Sequence, residues 1–310
     1  MALIQRGTCY YSDKAMNAQD AGAVGVIIFN EGNTPDRVPL MYGTLGGPGV
    51  NIPVQSASFA LGEELYNLSL AADVEVYMFV DTITQERMSQ NVIGTREGTH
   101  PEQGIVYIGG HYDSVSGAVG ANDDASGVAA TLEAARVLAT KGHRTKATLK
   151  FIAFGAEETG LDGSYTYVVE NLDEVIEMGI GMVNLDMIGV GDTLQIGNMG
   201  LSPPDLTDYA MEKAEAWGLD PEPFTAACNS DHCYFEQVDV PVAFLTQRPD
   251  PYYHTPEDTP DKIQAAALEA NGELATAAMY DWAKNPVLRA KKAAKLEKVH
   301  VRHDKVLTAD

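Results

Sequence analysis

Short apolar runs along the chain alternate with longer stretches whose apolar positions recur three and four residues apart. In the first eighty residues the runs at 2–4, 24–29 and 74–80, rich in β-branched and aromatic side chains, predict strands. Residues 13–21 have helical character, with Gly22 where a helix stop belongs. The Gly- and Pro-containing stretch 30–51 reads as loop. From about residue 85 the rhythm becomes β-α-β. Strands are predicted at 105–110, 148–154, 182–185 and 242–245. Helices are predicted at 127–141, carried by Val128, Leu132, Ala135 and Leu138, at 206–217, stopped by Gly218, and at 263–282. Strands alternating with helices specify a layered α/β domain with a mostly parallel sheet.

Composition narrows the reading. Of 310 residues 45% are hydrophobic and 21% charged, enough apolar surface to offset the entropy of ordering, which excludes disorder as the main state. The longest strongly apolar run, 21–29, is far short of the roughly 20 residues a membrane-spanning helix needs. Twenty-one Lys and Arg face 44 Asp and Glu, for a net charge of −23. A field of that sign repels nucleic acid and anionic membrane surfaces. The tail runs the other way: from Lys284 onward there are eight basic and three acidic residues. It reads as an extension rather than a binding arm. Three cysteines are too few for a disulfide scaffold or a Cys-rich zinc site. Cys228 and Cys233 are close enough in sequence for a local bridge, which only geometry decides.

Acids and imidazoles collect where the predicted strands end. His111 and Asp113 follow the first strand of the second part, and Asp123-Asp124 precede its first helix. Glu157-Glu158 follow the second strand, Asp186 the third and His254 the fourth. Each has a plain structural alternative: a satisfied histidine, a solvated Glu pair, or an Asp capping the helix. Together, at the ligand-binding edge of one parallel sheet, they match what a pair of divalent metals requires. A carboxylate can bridge two ions about 3.5–4 Å apart.

The segments ALIQRGTCYYSDKAMNAQDAGAVGVIIFN and NIPVQSASFALGEEL resemble the protease-associated (PA) domain. GGHYDSVSGAVGANDDASG, FIAFGAEETGLDGS, NLDMIG and DPYYHTPEDT resemble, in order and spacing, the co-catalytic zinc aminopeptidases of family M28, from about residue 91 to 282. The resemblance implies an α/β fold with a mixed, mostly parallel sheet flanked by helices, of the zinc-exopeptidase, phosphorylase/hydrolase-like kind. It also implies a small β-rich α+β PA domain. The expected division is 1–84 for the PA domain, N-terminally incomplete, 85–285 for the catalytic domain and 286–310 for the charged tail. Because the PA pattern starts inside a strand, an upstream segment with an export signal is expected, and the resemblance implies a secreted or extracellular protein. No signal sequence is read in the chain itself.

Carried over residue by residue, the resemblance implies two Zn2+ ions. His111 and Asp186 would serve one, Glu158 and His254 the other, and Asp123 would bridge them. Glu157 would be the general base, and Asp113 would hydrogen-bond the second nitrogen of His111 and fix its tautomer. Tyr253 would donate to the oxyanion. The implied partner is a peptide with a free N-terminus. His232 is read as structural, since the ligand set is complete without it, and Asn67-Leu68-Ser69 matches a glycosylation sequon by pattern alone. Two rivals remain. An M28 carboxypeptidase or dipeptidase would need a cation for the terminal carboxylate, and Arg248 lies close to His254 in sequence. A non-catalytic binding protein on the same fold would have lost metal ligands.

Overall fold

The protein is described by a computed structural model for residues 1–286, except 42, 46, 48, 83–86 and 141. The expected boundary at 84/85 and the basic tail beyond Pro286 lie outside the described residues.

Strands β1 (Ala2–Gln5), β2 (Val26–Phe29) and β3 (Val54–Ala57) form a three-stranded parallel sheet in that order. Helix α1 (Tyr11–Asp20) crosses from β1 to β2, and Gly22 ends it at φ +84°, as its position predicts. Ala18, Val26, Ile28 and Met41 make the buried centre of this unit. A second helix, α2 (Phe59–Ala71), was not legible in the pattern, because Leu61, Tyr66, Leu68 and Leu70 all face outward. Its start is nonetheless marked: the Ser58 hydroxyl accepts the Leu61 N–H at 3.3 Å. It lies so close to β2 that a Cβ on Gly62 would fall 2.0 Å from the Phe29 ring. Residues 74–80 do not form the expected strand. Val74, Tyr77 and Phe79 are exposed, and no strand among the described residues pairs with them. β-Propensity without a neighbour to supply the ladder leaves extended chain.

The larger sheet has seven strands in the order β4-β6-β5-β7-β10-β8-β9. They are β4 (Val92–Arg96), β5 (Ile105–His111), β6 (Thr148–Phe154), β7 (Gly179–Leu185), β8 (Thr193–Asn198), β9 (Glu222–Thr225) and β10 (Val242–Arg248). The four central strands, β6-β5-β7-β10, are parallel. On one side β4 joins antiparallel; on the other β8 joins antiparallel and carries β9 parallel to itself. The sheet is mixed and mostly parallel, as expected. The strands at its two margins had weak signals, being exposed or short.

Period-2 alternation sends Val106 and Ile108 to one face and Ile105 and Tyr107 to the other. The first face is covered by α3 (Ala125–Leu138), α6 (Asp205–Ala216) and α8 (Ala265–Lys284). The second is covered by α4 (Asp162–Glu170), α5 (Leu172–Met178) and α7 (His232–Gln237). Burying each Ile, Leu or Phe contributes about 1.5–3 kcal/mol. Helix α3 is rotated from expectation: Ala130, Thr131, Ala134 and Leu138 face the sheet, while Leu132 is 63% exposed. Small residues let the helix lie close to β5. Cys228 and Cys233 are bridged, with Cα atoms 4.9 Å apart, and Cys9 is free. No described helix is long and apolar enough to cross a membrane.

Candidate metal centre

In chain order the path goes from β5 to β6 and then returns past β5 to β7, so β5 stands where the connections change direction. Crevices outside such a point are where open α/β sheets bind ligands. His111 is the last residue of β5, Glu157 and Glu158 follow β6, Asp186 follows β7, and His254 lies in the turns after β10. All four strands are the central parallel ones, so their carboxyl ends open on one side.

Asp124 ties the crevice together. Its carboxylate caps α3 through the Gly127 N–H (2.9 Å) and also accepts the N–H groups of His111 (3.1 Å) and Met187 (3.0 Å). Gly110 permits this, since a Cβ there would stand 2.3 Å from Asp124 Oδ2. Helix capping, the bland reading of Asp123-Asp124, is therefore Asp124's part, and Asp123 is left to face the crevice. Left-handed backbone at Ala156 (φ +58°), Met187 (φ +62°) and His254 (φ +56°) marks three of the contributing turns. Such conformations cost about 1–3 kcal/mol outside glycine and gather at functional sites.

Asp123 sits between the two imidazoles, Oδ1 3.1 Å from His111 Nε2 and Oδ2 3.0 Å from His254 Nε2. Glu158 approaches His254 Nε2 at 3.2 Å, while Glu157 and Asp186 are each 3.9 Å from His111 Nε2. His111-Asp123-Asp186 and Asp123-Glu158-His254 each offer donor atoms within 4.8 Å of one another, as do His111, Glu157 and Glu158. Asp123 belongs to the first two groups, as a bridging ligand must. Glu158 Oε1 and Asp186 Oδ1 are buried without a hydrogen-bond partner. Buried carboxylate oxygens in that state are suited to receive a cation. Nitrogen and oxygen donors in this mixture suit zinc.

The electrostatics agree. Burial, with the charges of Asp186, Asp231 and Glu158 nearby, pushes Glu157 well above the usual carboxylate range against the pull of His111. Burial would also raise Asp123, but His111 and His254 hold it well below that range. Burial lowers His254, and Asp123 and Glu158 more than reverse this, to about 10. Acids crowded closely enough to raise both imidazoles favour positive charge between them, and a doubly charged cation supplies it by displacing the imidazole protons.

Asp113 departs from its expected contact. His111 Nδ1 meets the Asp113 main-chain oxygen at 3.0 Å, whereas the carboxylate is 3.7 Å away. The carboxylate instead accepts the N–H groups of Glu157 (3.0 Å) and Glu158 (3.1 Å). The ring is oriented as expected, but by the peptide carbonyl. Tyr253 stacks on His254 with ring centres 3.8 Å apart, and the Arg248 guanidinium lies 5.3 Å over the Tyr253 ring. His232 joins none of the donor groups. It is fully buried, stacked on Phe244, and burial lowers its pKa to about 3.

Two supporting acids escaped sequence reading although they lie in the DPYYHTPEDT motif. Buried Asp258 accepts the N–H groups of Asn122 (2.8 Å) and Asp123 (3.1 Å). Buried Asp250 accepts Asn122 Nδ2 and the Tyr252 N–H, each at 2.8 Å. They bind the loop bearing Asp123 to the loop bearing His254.

Residues 91–279 match peptidase family M28, and residues 1–65 match the PA domain. Aminopeptidase YwaD of Bacillus subtilis (strain 168) is 36% identical over 294 residues, covering 91% of this chain and 62% of that protein. An aminopeptidase of Pseudomonas aeruginosa (strain UCBPP-PA14) is 40% identical over 190 residues, 61% of this chain and 34% of that protein. The chain thus spans between about a third and three-fifths of the length of these curated relatives. Among solved structures, an aminopeptidase from Aneurinibacillus sp. strain AM-1 superposes with a TM-score of 0.71 at 33% identity, over 95% of this chain and 72% of the other. BSAP, a zinc aminopeptidase from Bacillus subtilis, gives 0.70 at 32% identity, over 94% and 72%.

Proposed function

The chain belongs to peptidase family M28, and on that basis we propose that it is a zinc-dependent aminopeptidase that removes the first residue of peptides. The observation that carries this reading is Asp123, which offers one carboxylate oxygen to each of two donor groups. His111 and Asp186 would hold one zinc, Glu158 and His254 a second, with Asp123 between them. Zinc in such a donor set lowers the pKa of a coordinated water towards neutrality and polarises a carbonyl oxygen.

The protein's own groups supply the rest. Glu157, fixed at its backbone N–H by Asp113, accepts a proton from the attacking water at its carboxylate and returns it to the leaving amine. Burial raises its pKa, which makes its carboxylate a stronger proton acceptor. The Tyr253 hydroxyl, next to His254, donates to the oxyanion as the carbonyl becomes tetrahedral. The carboxylates of Glu157 and Asp186 attract the substrate's α-ammonium group, which confines cleavage to the first residue. The intact donor set speaks against a non-catalytic binding protein. Placement outside the cell belongs to the same proposal, supported by the Cys228–Cys233 bridge, since such bonds persist in oxidising compartments.

The test compares leucine p-nitroanilide with its N-acetyl form, together with o-phenanthroline treatment and zinc restoration. The expected result is hydrolysis of the free amine only, lost with chelator and regained with zinc. Equal hydrolysis of both substrates, or indifference to the chelator, would exclude this function.

A further inference from the structure

A cleft of about 490 Å3 opens between the smaller unit and the edge of the large sheet. Its walls include Glu31 and Arg37 from the loop after β2, Thr193 and Gln195 of β8, Glu222 of β9, and Arg248 at the end of β10. Arg248 joins the cavity to the site, because its guanidinium lies over Tyr253, which stacks on His254. Two such contacts place it within roughly 9 Å of the His254 ring; with about 4 Å of that taken by a guanidinium–carboxylate contact, about one to two residues beyond the scissile bond span the rest.

Arg248 is a half-buried cation whose donors are unspent. Among the described residues it has no hydrogen-bonded or ion-paired side chain, whereas Arg37 in the same wall pairs with Glu31 at 3.7 Å. It stands in a chain of net charge −23, beside a cluster of carboxylates. An incoming carboxylate is repelled there unless a cation receives it. Arg248 opposes Thr193 in the β10–β8 register, and Glu222 pairs with Gln195 one strand further out. Strand spacings put Glu222 roughly 12 Å from Arg248. The cleft is therefore cationic next to the metal centre and acidic at its far end.

We propose that Arg248 binds the C-terminal carboxylate of di- and tripeptides in this cleft, so that the protein favours short peptides with a free acid end. The proposal rests on the aminopeptidase reading, which places the scissile bond at the metal centre and the rest of the peptide along the cleft. An Arg–carboxylate pair is charge-assisted and can be bidentate, a geometry glutamine cannot supply and lysine supplies only in part. In longer peptides the carboxylate passes Arg248 and approaches Glu222, and the advantage disappears.

The zinc-loaded protein is assayed on Leu-Gly, Leu-Gly-Gly and Leu-Gly-Gly-Gly-Gly, each as free acid and as C-terminal amide, and on N-acetyl-Leu-Gly. For the better of the two short peptides, kcat/KM for the acid should exceed that for the amide by about tenfold or more, mainly through KM. For the pentapeptide the ratio should approach one. Arg248→Gln should remove the preference and Arg248→Lys should retain part of it. Equal rates on short acids and amides in the unmodified protein would overturn the proposal, and need no variant. So would an unchanged preference in Arg248→Gln with a parent-like melting temperature. Cleavage of N-acetyl-Leu-Gly as fast as Leu-Gly would instead overturn the aminopeptidase reading, whatever the acid-to-amide ratio.

Discussion

The Asp113 carboxylate receives the backbone N–H of Glu157 at 3.0 Å, and its second oxygen receives that of Glu158 at 3.1 Å. One side chain thus sets the position of both acids after β6, while its main-chain oxygen orients His111. In Asp113→Asn one oxygen becomes an NH2 that opposes an N–H. Displacement of Glu157 by a fraction of an ångström should lower kcat by about 10- to 100-fold. The zinc held by His111, Asp123 and Asp186 should stay, because the peptide carbonyl still holds the ring, so that at least one zinc per chain is retained and any loss is confined to the ion that Glu158 helps to hold. Elemental analysis beside kcat checks this. Loss of both ions in proportion to activity would return the carboxylate to a direct role at His111.

Glu157→Gln keeps the shape of the side chain and removes its proton acceptor. Turnover should fall by about 10² to 10⁴, with zinc bound at close to parental stoichiometry. A variant that kept most of its activity would take Glu157 out of the base role.

His254→Ala removes one imidazole from the Asp123-Glu158-His254 group and leaves His111-Asp123-Asp186 intact. Zinc stoichiometry should drop by about one per chain, and inactivation should need less chelator. Titration with zinc under competing chelator measures both. Unchanged stoichiometry would rule out two separately held ions.

The buried His232 ring makes folding depend on acid. Its pKa is lowered to about 3 in the folded chain by burial, against about 6.5 when unfolded. The unfolded state therefore binds a proton more readily. The stability due to the neutral ring is complete above pH 6.5 and is lost progressively as pH falls towards 3. Between pH 7 and pH 5 the parent should lose about 2 kcal/mol more than His232→Phe, which keeps the stack on Phe244. Urea unfolding at both pH values measures the difference, in which titrations common to the two proteins cancel. Parallel losses would mean that His232 is not buried in its neutral form.

Much of this was legible in the linear chain. Apolar runs and 3.6-residue spacing marked the central strands and the long helices, because those elements are buried and their pattern is local. Spacing and residue chemistry also brought out His111, Asp123, Glu157, Glu158, Asp186 and His254, since parallel strands deliver their carboxyl ends to one edge. Other features are relations between distant segments, and periodicity carries no record of them. Residues 74–80 have strand composition but no neighbouring strand among the described residues. Helix α3 turns Ala130 and Ala134 inward rather than Leu132, because close approach to the sheet outweighs side-chain size.

Which atom of a site residue meets which partner was settled only by the tertiary fold. Asp113 presents its carbonyl to His111 and its carboxylate to a turn 44 residues away. Asp258 reaches back 136 residues to hold Asn122. The linear chain determined the elements and the donor types, because these depend on side-chain chemistry and local spacing. Folding alone determined the contacts, because a hydrogen bond is decided by ångströms between segments whose separation in sequence sets no distance in space.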